Sequence, residues 1–205
     1  MSAKDHAHST TRSSARGRSR TACAIRVTDE ALSACMGSQP TSARFDNTMV
    51  GLSSLADRGK LWAAVGAALT ITGHRAAAAR GMASVVIASA TANLIGKRVF
   101  GGTRPPLSRV PLGRQLEQSP TSATFPSGYT ASAFAFAVGA SITNRRLAVV
   151  LVPLAVAVAY SRLHTGAHWL SDVVGGALLG TSAAALDAAL HHGRRNRGRS
   201  AGARR

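Results

Sequence analysis

The 205-residue chain carries 25 Lys and Arg against 8 Asp and Glu, a formal charge of +17, while 45% of its residues are hydrophobic. That length accommodates one domain with appendages. Between Leu61 and Gly193 the only acids are Glu117, Asp172 and Asp187, whereas a soluble helical protein laces its polar faces with charges of both signs; the pattern argues against a water-soluble bundle and for lipid around the middle of the chain.

Met1 to Arg44 is rich in Ser, Thr, Ala and Arg, a composition that reads as a disordered basic extension with at most a weak helix near Asp29 to Met36. Arg26, Asp29 and Glu30 interrupt any apolar core that a signal peptide would need. No contribution to the membrane fold is expected of this region, and a start as far downstream as Met36 or Met49 is compatible with that. Cys23 and Cys35 have no companion Cys/His cluster and are assigned no role. From Phe45 to Lys60, apolar residues (Phe45, Met49, Leu52, Leu55) recur at roughly helical spacing, which predicts an interfacial amphipathic helix.

Five apolar segments follow: Leu61–Gly73, Gly81–Gly96, Gly128–Thr143, Leu147–Tyr160 and about Trp169–Leu190. Several fall short of the roughly 20 residues that cross a bilayer squarely, but flanking Lys and Arg can snorkel to extend them. Gly176 and Gly180 stand at GxxxG spacing, a helix-packing signal. The expected fold is an all-α, polytopic transmembrane bundle of about five spanning helices plus the N-terminal interfacial helix. Residues 45–193 form the membrane domain between the 1–44 extension and a 194–205 basic tail. If the chain enters Leu61 from outside, Arg75, Arg80, Arg145, Arg146 and the tail fall inside. The outer face then holds Gly96–Phe125 and the Ser161–Asp172 turn, with Lys97, Arg98, Arg104, Arg109, Arg114 and Arg162.

Those outer cations have a chemical reading. The stretch Ser161 to Asp172 joins two uncharged runs and holds Arg162, His164, His168 and Asp172. Ionisable groups set between apolar segments mark a functional site. Asp172 lies one helical turn after His168, so its carboxylate can take one ring N–H and leave the other nitrogen as base or nucleophile; a capped helix start with a structural His is the plainer alternative. Lys97 and Arg104 flank the Gly101-Gly102 turn, and Pro126-Ser127-Gly128 opens a helix whose free N–H groups suit an anion. Arg162 adds a planar fork for phosphate oxygens.

Lys97-x6-Arg104-Pro105, Pro126-Ser127-Gly128 and Ser161-Arg162-x5-His168-x3-Asp172 together resemble the three signature motifs of the type 2 phosphatidic acid phosphatase (PAP2) superfamily, over roughly Leu61 to Gly180 and with short actinobacterial membrane members looking most similar. The resemblance implies a multi-pass cell-membrane enzyme, its site on the outer face, that removes phosphate from a lipid phosphate or diphosphate with neither metal nor cofactor. It implies His168 as the nucleophile that becomes phosphohistidine, Asp172 as its orienting partner, and Lys97, Arg104, Ser127, Gly128 and Arg162 as holders of the phosphate oxygens. Its partners would be a lipid phosphate substrate and membrane lipids, with no nucleic acid. One position departs: where the second motif ends in a general-acid His, this chain has Tyr129. A phenol with a reference pKa near 10 is a poor proton donor at neutral pH. A slow phosphatase, a diphosphatase and a lipid-phosphate binder without turnover are then three readings, with His164 as a candidate substitute acid against a structural role. The apolar segments argue against a resemblance to the soluble vanadate haloperoxidases.

Overall fold

Seven α-helices and no strand make up the described residues of the computed structural model, which are 26–37, 39–96, 102–117 and 122–202, the last nine and 95–96 as backbone only. In chain order α1 covers 26–37, α2 Ala43–Leu55, α3 Lys60–Ile71, α4 Arg75–Thr91, α5 Gly128–Thr143, α6 Ala148–His164 and α7 Leu170–Gly202. A π-helical turn, Ala92–Gly96, ends α4.

The boundaries follow from local chemistry. Ser127 caps α5 by accepting the Thr130 N–H, and Ser42 caps α2 by accepting that of Phe45. Each satisfies a donor that an α-helix start leaves free. The predicted amphipathic helix does not run through to Lys60. It stops at Leu55, and the chain reverses at Arg58 (φ 51) and Gly59 (φ 75) before α3 begins. The weak helix expected near Asp29 to Met36 is present and, against the expectation of no contribution, it contacts the membrane domain. Residues 26–37 are helical, and Asp29 accepts from the Ser171 backbone N–H at 2.9 Å and from its hydroxyl at 2.5 Å. Ser33 Oγ accepts the Leu170 N–H at 2.9 Å. Helix α1 thus supplies, from a distant part of the chain, the cap groups for the first turn of α7. Residues 1–25 lie outside the described residues.

Helix α5 is the centre, packed against α4, α6 and α7. Its Ala131, Ala133, Ala135, Phe136, Ala137 and Ala140 are fully buried. Small side chains let backbones approach closely, which matters where lipid removes the hydrophobic drive between helices. A Cβ on Gly180 would collide with the Ala131 carbonyl and stand 2.9 Å from the Ala135 nitrogen; one on Gly176 would stand 3.0 Å from Thr130 Cβ. The GxxxG pair is therefore the α5–α7 contact. Gly180→Leu is expected to force these helices apart and to cost about 2 kcal/mol or more, read as a fall in melting temperature in detergent; an unchanged melting temperature would contradict this packing.

The outer surface is apolar. Ile71, Val86, Val149, Val150, Val156, Val174, Leu178 and Leu186 are all exposed, the reverse of a water-soluble bundle and as expected for helices in lipid. Arg145–His164 and Leu170–Gly193 are each long and apolar enough to cross a membrane. Helices α3, α4 and α5, at 12, 17 and 16 residues, are shorter than the roughly 20 of a square crossing. Within the bundle Asp187 of α7 pairs with Arg80 of α4 at 3.4 Å, so charge in the apolar zone is neutralised rather than left alone.

Candidate active site

The turn between α6 and α7 is built by its own backbone. Gly166 takes the left-handed φ of 62 that ends α6, where a Cβ would also strike Val110. The N–H groups of Ala167 and His168 then donate to the Arg162 carbonyl at 3.0 and 3.3 Å. Four residues after His168, Asp172 reaches back to accept the Trp169 N–H at 2.9 Å, half of a capping box. The same oxygen lies 3.4 Å from His168 Nδ1. Both side chains are almost wholly buried, at 3% and 2% exposure. One carboxylate thus fixes the helix start and the imidazole orientation together. Burial holds His168 down to about 4, against the hydrogen bond to Asp172, which raises it, so the ring is neutral and nucleophilic at neutral pH.

Three groups with phosphate-binding chemistry surround this pair. Arg104 is tied down by donating Nη1 to the Ala167 carbonyl at 2.6 Å and Nε and Nη2 to the Ser122 carbonyl at 3.2 and 2.9 Å; burial lowers its pKa from the ordinary value. Ser127 is buried at the α5 start, where its N–H donates to the Asp172 carbonyl at 3.0 Å. This hydrogen bond joins the second and third motifs directly. Arg162, 1% exposed, donates Nη1 to Ser53 Oγ of α2 and lies with its guanidinium carbon 4.0 Å from the centre of the Tyr129 ring. Its Nε and Nη2 are buried without a hydrogen-bond partner. Buried unpaired donors on a cation are costly, and an oxyanion would satisfy them.

A cavity of about 420 Å³ lies here, lined by Arg58, Arg104, Gly128, Tyr129 and His168 on its polar side and Ala63, Met82 and Val85 on its apolar side. A second, of about 340 Å³, touches the other flank of His168 beneath α1. The structure therefore brings Arg104, Gly128, Tyr129 and His168 to one cavity, with Asp172, Ser127 and Arg162 immediately behind. Lys97 lies outside the described residues.

Sequence reasoning missed the contribution of the α2–α3 turn. The Tyr129 hydroxyl donates to Asp57 Oδ1 at 2.6 Å, and this hydrogen bond holds the Asp57 carboxyl below its usual range. The phenolic proton is therefore committed to Asp57. His164 has a structural partner: its Nε2 is 2.7 Å from Asp46, which also accepts from Thr41 and pairs with Arg114 at 3.1 Å. The Thr41 hydrogen bond, ahead of the others, keeps Asp46 below the ordinary carboxylate range. His164 borders the second cavity and not the first.

Comparison with known proteins accords with this arrangement. No curated protein sequence matches the chain. Among solved structures, LpxE of Aquifex aeolicus is similar with a TM-score of 0.59 and 22% identity, over 76% of this chain and 92% of that one. A transmembrane PAP2-type phosphatidylglycerolphosphate phosphatase from Bacillus subtilis is similar with a TM-score of 0.63 and 18% identity, over 82% and 87%. The family model of the PAP2 superfamily matches residues 78–196, more than half of the chain and a span that contains all three motifs, and the chain belongs to that superfamily.

Proposed function

We propose that this protein is a membrane lipid-phosphate phosphatase acting on a phosphomonoester or diphosphate of a polyprenyl or glycerolipid. The observation that carries the reading is the buried, neutral His168, paired with Asp172 and lining one cavity with Arg104, with the two unpartnered donors of Arg162 nearby. With Nδ1 turned to Asp172, Nε2 is the nitrogen that attacks phosphorus. A P–N bond forms as the P–O bond to the lipid breaks, and the lipid oxygen leaves with the electron pair and takes up a proton. Water then attacks the phosphohistidine, releasing inorganic phosphate and restoring the imidazole. Arg104 and Arg162, with Lys97 and the Ser127-Gly128 helix start, bind the oxygens whose charge grows in the transition state. The described Bacillus subtilis neighbour, a phosphatidylglycerolphosphate phosphatase, is a precedent on this fold for a lipid-phosphate substrate.

Residues 45–193 form the catalytic membrane domain, with α3 to α7 crossing the bilayer. The cavity opens on the outer face and the Arg-rich 194–205 tail lies inside, where anionic headgroups attract it. The apolar cavity wall of Ala63, Met82 and Val85 suits a lipid tail. A second reading, a lipid-phosphate binder with weakened turnover, is favoured by one observation, the capture of the Tyr129 proton by Asp57. Membrane vesicles of defined sidedness, given a water-soluble short-chain lipid phosphate, test both activity and orientation. Phosphate release from right-side-out vesicles is expected. No release from either kind would leave the binder, and release from inverted vesicles alone would reverse the orientation.

A further inference from the structure

Arg58 belongs to none of the three motifs, yet it lines the same cavity as His168 and Arg104. Its backbone is in the left-handed region at φ 51, the one non-glycine among the described residues to be so. A bulky side chain there is uncommon, and such strain persists where surrounding structure imposes it. The imposed turn has a result: Asp57 points back to the Tyr129 hydroxyl, while the Arg58 guanidinium remains 77% exposed, with a 3.6 Å contact to Asp57 as its ion pair. Unlike Arg162 and Arg104, it is not held by the protein's own carbonyls or hydroxyls in any hydrogen bond described above. Apart from that ion pair it is a solvent-exposed cation at the rim of the His168 cavity.

We infer that Arg58 is a specificity-determining residue that binds a second phosphoryl group of the substrate, so that the preferred substrate class is a lipid diphosphate. The terminal phosphorus sits at His168 and the inner phosphate, which departs with the lipid, meets Arg58. A second, independent observation agrees. The Tyr129 proton is held by Asp57, so no acid is aimed at the leaving oxygen; a leaving phosphate, unlike an alkoxide, needs little protonation. Arg58 then offsets the charge that accumulates on that phosphate as the bridging bond breaks.

The inference rests on the phosphatase reading, but its test is a binding measurement that can fail separately. Full-length protein in detergent is titrated with inorganic pyrophosphate and with orthophosphate, and the ratio of the two affinities is compared between wild type and Arg58→Gly. Glycine takes φ 51 freely, so the variant is expected to keep or raise its melting temperature. The pyrophosphate advantage should fall by about tenfold, the value of one charge-assisted contact, with orthophosphate affinity unchanged. Arg58→Lys should restore part of the advantage. An unaltered ratio in Arg58→Gly, or equal loss for both anions, would overturn the role of Arg58. Absence of lipid-phosphate hydrolysis by wild type would instead remove the phosphatase reading.

Discussion

His168→Ala is expected to abolish phosphate release, and Asp172→Asn to reduce it by about 10²-fold. The two variants fail for different reasons. Alanine removes the atom that accepts the phosphoryl group. Asparagine can still accept the Trp169 N–H that Asp172 takes at 2.9 Å, so the α7 start survives, but its amide no longer favours the tautomer that frees Nε2. The loss should therefore lie in kcat, with melting temperature nearly unchanged. The pH profile gives a further sign. Because burial puts His168 at about 4 in the folded protein, the ring becomes cationic, and unable to attack, only as pH falls through that value. The acid limb of kcat/KM, corrected for substrate ionisation, should thus lie near pH 4 rather than near 6.5. A fully active His168→Ala protein would end the assignment.

Tyr129→His is expected to raise the rate on a lipid monophosphate by up to ~10²-fold and to do much less on a diphosphate. The gain has a structural cause beyond restoring a titratable ring. A carboxylate already stands 2.6 Å from the hydroxyl that the imidazole would replace, and an adjacent carboxylate favours the protonated imidazole. The alkoxide would then meet an acid with a proton to give. Tyr129→Phe is the control: if the phenol donates no proton to the leaving group, its removal should change either rate little. Equal acceleration on both substrates by Tyr129→His would show that position 129 is not facing the leaving oxygen.

What was legible in the sequence was whatever short spacing encodes. His168 and Asp172 are one turn apart, and the structure places them 3.4 Å apart. Helix α5 runs over Gly128–Thr143, the bounds of its apolar segment, because Ser127 before it and Asn144 after it are cap residues. What was hidden was set by long-range contact. Asp57 meets Tyr129 across 72 positions, and Ser53 meets Arg162 across 109; no periodicity signals either. At the break before α3, Gly59 was the legible marker, whereas the left-handed backbone of Arg58 beside it was hidden, since an arginine carries no such signal. The weak helix near Asp29 to Met36 was legible, but its seat was not: α1 meets the α7 start through long-range hydrogen bonds.

That cap has a consequence for the order in which the protein assembles. Asp29 is made before its partner Ser171, which follows 142 positions later. Every intervening helix is made before the two can meet. Closing so long a loop costs only slightly more entropy than closing one half its length. Helix α1 thus locks only after α7 has been made, and the two complete the catalytic turn together.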